Sequence, residues 1–151
     1  MADRVVIPQP WLWVPRYRPI RFIEIHSTRG GSASPATDYI ATGNWMTNPN
    51  NNQGGWGSSC SRVLGPLGEM TFVLADDQMP TYSAGYGASS ATYSIDEYAK
   101  SYEWAQNFST VPFSDAMYRR GAREIAKDCV AYGIPPIFIT MYDQTVQPVP
   151  T

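Results

Sequence analysis

The chain has 151 residues, of which 43% are hydrophobic, 13% aromatic and 16% charged, with a formal net charge of −2. It is long enough to fold as one domain around a real core and too apolar to be a disordered segment. No run of Lys and Arg could neutralise a row of phosphates, which argues against nucleic acid as a partner, and no stretch approaches the roughly 18 apolar residues of a membrane span.

Residues 1–19 read as an extended arm, and residues 20–151 as one domain. Between residues 7 and 20 (IPQPWLWVPRYRPI) prolines recur, each removing a backbone donor and fixing φ, while Trp11, Trp13 and Tyr17 offer rings that can pack onto the domain or edge a ligand. The charged start at Met1–Val6 is not followed by a hydrophobic run of secretory type, so cytosolic synthesis without a signal peptide is expected. IRFIEIH at 20–26 is β-branched and aromatic and predicts a buried strand, ending in the polar, glycine-rich loop HSTRGG. Ser34-Pro35 then reads as an N-cap and first-turn proline for a helix to about Met46, with Tyr39, Ile40 and Trp45 at helical spacing.

After the polar loop at 47–57, the segments Ser61–Leu64 and Glu69–Ala75 flank Gly65-Pro66-Leu67-Gly68 and predict a hairpin. A second loop holds Tyr82, Ser83, Gly85 and Tyr86. Residues 92–99 (TYSIDEYA) alternate as a strand would, placing Tyr93, Ile95 and Glu97 on one face and Ser94 and Asp96 on the other. A long helix follows over Asp115–Tyr132. Ser114 is its cap, Gly133 and Pro135 its stop, and Tyr118, Ala122, Ile125, Cys129 and Tyr132 an apolar face. Residues 136–140 (PIFIT) predict a last short strand. Cys60 and Cys129 belong to no CxxC pattern and read as free thiols. The resulting fold class is α/β, a central mixed β-sheet flanked by helices with loops gathered along one edge.

FIEIHST at 22–28 resembles the strand that ends in a zinc-binding histidine in the zinc-dependent N-acetylmuramoyl-L-alanine amidases, the family that includes phage lysins and the peptidoglycan recognition proteins. SRVLGPLGEM resembles the family's central hairpin, TYSAGYG its W-H-A-G loop with Ser83 in place of the histidine, and SIDEYAKS the strand that carries a catalytic glutamate. VPFSDAMYRRGAREIAKDCVAYGIPP is similar to its long helix and exit.

The resemblance implies a peptidoglycan hydrolase that cuts the bond between N-acetylmuramic acid and L-alanine. It implies His26 as a zinc ligand and Glu97, with Asp96 as the alternative, as the catalytic carboxylate. Thr28, Trp56, Tyr82, Ser83 and Tyr86 would contact substrate. A three-ligand zinc with an open position would supply the nucleophilic water. The family's other two ligands lie in G-H and D-P-G segments beyond the long helix, and this sequence has a single histidine. They are therefore expected from a further C-terminal segment or a second polypeptide. Action on the cell wall after release, as by a phage lysin, follows from the same resemblance. Two other readings stand beside it. One is a peptidoglycan-binding module that does not cut; the other is a virion assembly component docked by the proline-aromatic arm.

Overall fold

The computed structural model describes residues 3–5, 16, 18–27, 35–47, 60–72, 98–106 and 112–137. In chain order these form β1 (Arg4–Val5), β2 (Phe22–Ser27), α1 (Pro35–Thr47), β3 (Arg62–Leu64), β4 (Met70–Phe72), β5 (Ala99–Trp104) and α2 (Asp115–Tyr132). The strands make one five-stranded sheet in the order β1-β4-β3-β5-β2. Only β3 and β4 run antiparallel; β1 joins β4, and both β3 and β2 join β5, in parallel. This is the mixed sheet flanked by helices that the sequence predicts.

Alternation along the strands separates two cores on opposite faces of the sheet. Val63 packs with Tyr39 and Met46 of α1, Cys60 and Ala105. Its neighbour Leu64 packs with Met70, Tyr102, Trp104 and Met117 of α2. On that second face Trp104, Phe113 and Tyr118 form an edge-to-face trio with centroids 4.8, 5.5 and 5.8 Å apart, the geometry that opposes the electron-rich face of one ring to the positive edge of the next.

The hairpin closes as expected. The Gly65 N–H donates to the Glu69 carbonyl at 2.8 Å, the Gly68 N–H donates to the Gly65 carbonyl at 3.0 Å, and Gly68 sits at φ 81°, where a side chain would be strained. Helix α2 begins and ends where its caps predict. The Ser114 hydroxyl accepts from the Met117 N–H, and Gly133 turns left-handed at φ 64° and returns its N–H to the Cys129 carbonyl.

Four local expectations are corrected. Of the strand expected at 92–99, residues 92–97 lie outside the described residues, Tyr98 is in a turn, and a strand runs over Ala99–Trp104. Strand β5 is buried at every position, including Lys100 and Glu103, so its charges hide a central strand from a reading that equates charge with surface. On α2 the buried positions are Met117 and Gly121, and Tyr118 is 49% exposed, so the inward face is rotated from the one expected. It also carries Glu124 and Asp128, whose carboxylates are largely covered. On α1 the inward stripe is Tyr39, Gly43 and Met46, with Trp45 turned outward. Pro136 and Ile137 are not in a strand, and residues 138–140 lie outside the described set.

The chain's N-terminal end is tied down by more than β1. Asp3 accepts from the Met70 N–H at 3.2 Å and from Arg120 at 2.9 Å, and Arg16 donates to the Ala99 carbonyl at 2.9 Å. Trp11, Trp13 and Tyr17 of the arm lie outside the described residues.

Gly121 sets how closely α2 approaches the sheet. A Cβ there would lie 2.5 Å from Trp104 Cζ2 and 3.1 Å from Leu64 Cδ2. Gly121→Ala gains up to about 1 kcal/mol of helix propensity but overpacks a filled core, at a cost of about 1–3 kcal/mol. We expect a net loss of about 1 kcal/mol in urea denaturation, with a shift in Trp104 fluorescence. A stabilised variant would show that the contact relaxes without strain.

Candidate functional site

Strands β2, β5 and β3 are mutually parallel, so their C-terminal ends open on one edge of the sheet, the usual location of ligand sites in open α/β folds. Strand β2 is the outer strand of the described sheet. Its residues Glu24 and His26, two apart, project to one face, and in register His26 lies opposite Glu103 and Glu24 opposite Ser101. Adjacent strands are about 4.8 Å apart, so all four side chains emerge as neighbours. The face is the one covered by α1, since Glu103 is also in register with Val63.

The polar contacts within this cluster are specific. His26 Nε2 lies 2.6 Å from Glu24 Oε1, a short contact between imidazole and carboxylate. The His26 side chain is 34% exposed and that of Glu24 17%, whereas Glu103 is only 8% exposed. The cluster thus runs inward from a solvent-accessible imidazole to a covered carboxyl group. Ser101 Oγ is fully buried on the same face and has no hydrogen-bond partner among the described residues.

Electrostatics separates the two carboxylates. Burial disfavours the charged form of Glu103 and raises its pKa from 4.5 to about 7; attraction to His26 opposes this rise and repulsion from Glu24 adds to it. A group balanced between acid and base near neutral pH is suited to proton transfer. Deeper in, burial pushes the Cys60 thiol well up and the Glu103 carboxylate pushes the same way. Cys60 Sγ contacts Met46 Sδ at 3.3 Å, so Cys60 is a packed, protonated thiol rather than a reactive one.

Of the residues singled out from sequence, His26 lies at this site. Thr28, Trp56, Tyr82, Ser83, Tyr86, Asp96 and Glu97 lie outside the described residues. The carboxylate that the described structure sets across from His26 is Glu103, which the sequence reading passed over. Its signal is present in the order AKSYEW: with Tyr102 and Trp104 alternating as inward aromatics, Glu103 must share the other face with Ser101 and Ala105.

A zinc site takes three or four nitrogen, thiolate or carboxylate ligands in near-tetrahedral array. Among the described residues no group of three or more His, Cys, Asp or Glu could hold a metal ion. The single histidine has Nε2 engaged by Glu24, Cys60 is held as a thiol, and Cys129 lies on α2 across the sheet. The described donor set does not fit zinc. No helix among the described residues is long and apolar enough to cross a membrane.

At the level of sequence, no family profile matches the chain and no curated protein is significantly similar to it. Solved structures are similar in fold. Drosophila Peptidoglycan Recognition Protein SA superimposes with a TM-score of 0.62 at 18% identity, over 85% of this chain and 70% of its own. AmpD gives 0.64 at 17% identity, over 87% and 75%. The endolysin N-acetylmuramoyl-L-alanine amidase LysCS from Clostridium intestinale gives 0.57 at 13% identity, over 89% and 78%. The chain therefore has the fold of the N-acetylmuramoyl-L-alanine amidases and peptidoglycan recognition proteins, as the sequence motifs suggested.

Because the folded state binds the Glu103 proton more tightly than the unfolded state, stability from this group is complete below pH 4.5 and is lost as pH rises through about 7. Glu103→Gln removes the titration while keeping the volume. In urea denaturation the variant should gain on the parent by on the order of 2 kcal/mol between pH 4 and pH 8. A difference independent of pH would mean that Glu103 ionises in the folded protein as it does in water.

Proposed function

We propose that the chain acts on peptidoglycan, binding the muramoyl-peptide at the C-terminal ends of β2 and β5 and hydrolysing the amide between N-acetylmuramic acid and L-alanine. The observation that carries this reading is the placement of Glu103 beside His26 at the strand ends of an amidase-type fold. Thr28, Trp56, Tyr82, Ser83 and Tyr86 are carried over from the sequence resemblance as the substrate-contacting residues of this reading. Action follows release to the cell wall, in keeping with an endolysin among the structural neighbours.

The chemistry is derived from this chain's own residues. Because the described donors do not fit zinc, the proposed reaction uses protein groups alone. Glu103, with a pKa of about 7, takes a proton from water as the oxygen bonds to the amide carbon. His26, its Nε2 engaged by Glu24, donates from Nδ1 of the protonated ring to the developing oxyanion. Collapse of the tetrahedral intermediate breaks the carbon–nitrogen bond. Glu103 returns its proton to nitrogen, leaving the muramoyl carboxylate and the free amine of L-alanine.

The second reading is a module that binds peptidoglycan without cutting it. It is favoured by the engagement of His26 Nε2 by Glu24 and by the recognition protein among the structural neighbours.

Purified cell walls separate the readings. Co-sedimentation measures binding, and labelling of newly freed alanine amino groups measures cleavage. We expect both for the parent chain, with Glu103→Gln still sedimenting but cleaving at least ~10²-fold more slowly. Binding without alanine release establishes the recognition module. No sedimentation above a control domain overturns both readings. Loss of turnover in Glu97→Gln but not in Glu103→Gln would assign the proton carrier to Glu97.

A further inference from the structure

We propose that Glu24 takes the place of a metal ion at His26: the Glu24 carboxylate, not a cation, holds Nε2, and the site is metal-independent. This inference goes beyond the activity and stands whether the chain cuts peptidoglycan or only binds it.

Three observations support it. The contact of 2.6 Å between His26 Nε2 and Glu24 Oε1 is a short hydrogen bond, and with the ionised carboxylate as acceptor the proton sits on the nitrogen. A nitrogen that carries a proton has no lone pair for a metal, so the bond and ligation through Nε2 exclude one another. The local geometry enforces the choice. Residues two apart on a strand share a face, and β2 is paired with β5 over its whole length, Phe22 with Ala99 through Ser27 with Trp104. Glu24 is 17% exposed and cannot swing away into water without leaving its covered position.

In metal sites a carboxylate commonly sits behind the histidine, on the nitrogen away from the ion, and orients it. Here a carboxylate engages Nε2 from the strand that carries the histidine. Glu24 is thus a positioning residue that fixes which ring nitrogen bears a proton.

The sequence has one histidine, so its ring nitrogens can be read without assignment in a proton–nitrogen correlation spectrum. In the full chain at neutral pH we expect Nε2 to give the shift of a protonated nitrogen. A fivefold excess of zinc should leave both the spectrum and the melting temperature unchanged, and calorimetry should detect no sub-micromolar site, the range of structural zinc. Glu24→Val should move the Nε2 resonance towards that of an unconstrained imidazole. Zinc affinity appearing only in that variant would support the proposal further. An unprotonated Nε2 in the parent chain would overturn it. So would tight one-to-one zinc binding that His26→Ala abolishes, or a His26 spectrum indifferent to Glu24→Val. If Glu24→Val does not fold, the parent spectrum with and without zinc decides the question.

Discussion

Strand β5 is buried from Ala99 to Trp104, yet it carries a lysine and a glutamate, and the rest of the structure is arranged around how those two charges are accommodated. Lys100 points to the α2 face. Its ammonium, 2% exposed, meets Asp128 Oδ1 at 2.9 Å, and the other oxygen of Asp128 accepts from the Tyr102 hydroxyl at 2.5 Å. Burial and this bond push the Tyr102 phenol strongly upward, so it remains a donor. The Tyr132 ring, 5.3 Å from the ammonium, closes the last turn of α2 over the same group. A buried ion pair of this sort contributes little net stability but penalises any arrangement that breaks it. It therefore fixes how α2 is rotated on the sheet, and accounts for Asp128 pointing inward while Tyr118 is half outside.

Glu103 points the other way, and among the described residues no Lys or Arg ion pair is seen for it. Its charge is tempered by His26 at the exposed end of the cluster and opposed by Glu24. The same strand thus resolves one charge by pairing and the other by raised proton affinity. The first is a structural solution, since its partners are satisfied and covered. The second leaves a group balanced near neutrality next to a solvent-accessible imidazole, which is the arrangement expected of a site rather than of a core.

This explains what could be read from sequence and what could not. The caps of α2 and the turn of the hairpin were legible because they depend on single residues with local consequences: Ser114, Gly133, Gly68. Strand β2 was legible as a strand from its β-branched run, and with it the position of His26, but not its burial: it is the outer strand of the described sheet, with Phe22 41% and Ile25 43% exposed. Strand β5 was not, because alternation was sought in TYSIDEYA, where polar and apolar residues take turns, while AKSYEW places polar groups on both faces. Burial of those groups depends on partners distant in sequence, Asp128 for Lys100 and His26 for Glu103, which no local window contains. The rotation of α2 was missed for the same reason: Gly121 faces inward because Trp104 fills the space its side chain would need.

The two-residue spacing in IEIH also has a consequence that the motif resemblance conceals. A histidine at the end of a β-strand is a common way to present a ligand, but the residue two before it shares its face, and here that residue is acidic. A hydrophobic residue at that position would leave the imidazole to whatever else approaches the strand end. A glutamate instead supplies an intramolecular partner at high effective concentration, since both groups are held on one rigid strand and little freedom is lost in joining them. An incoming cation must displace that bond and lose the proton it holds. The choice between proton and metal at this site is therefore made within β2 itself.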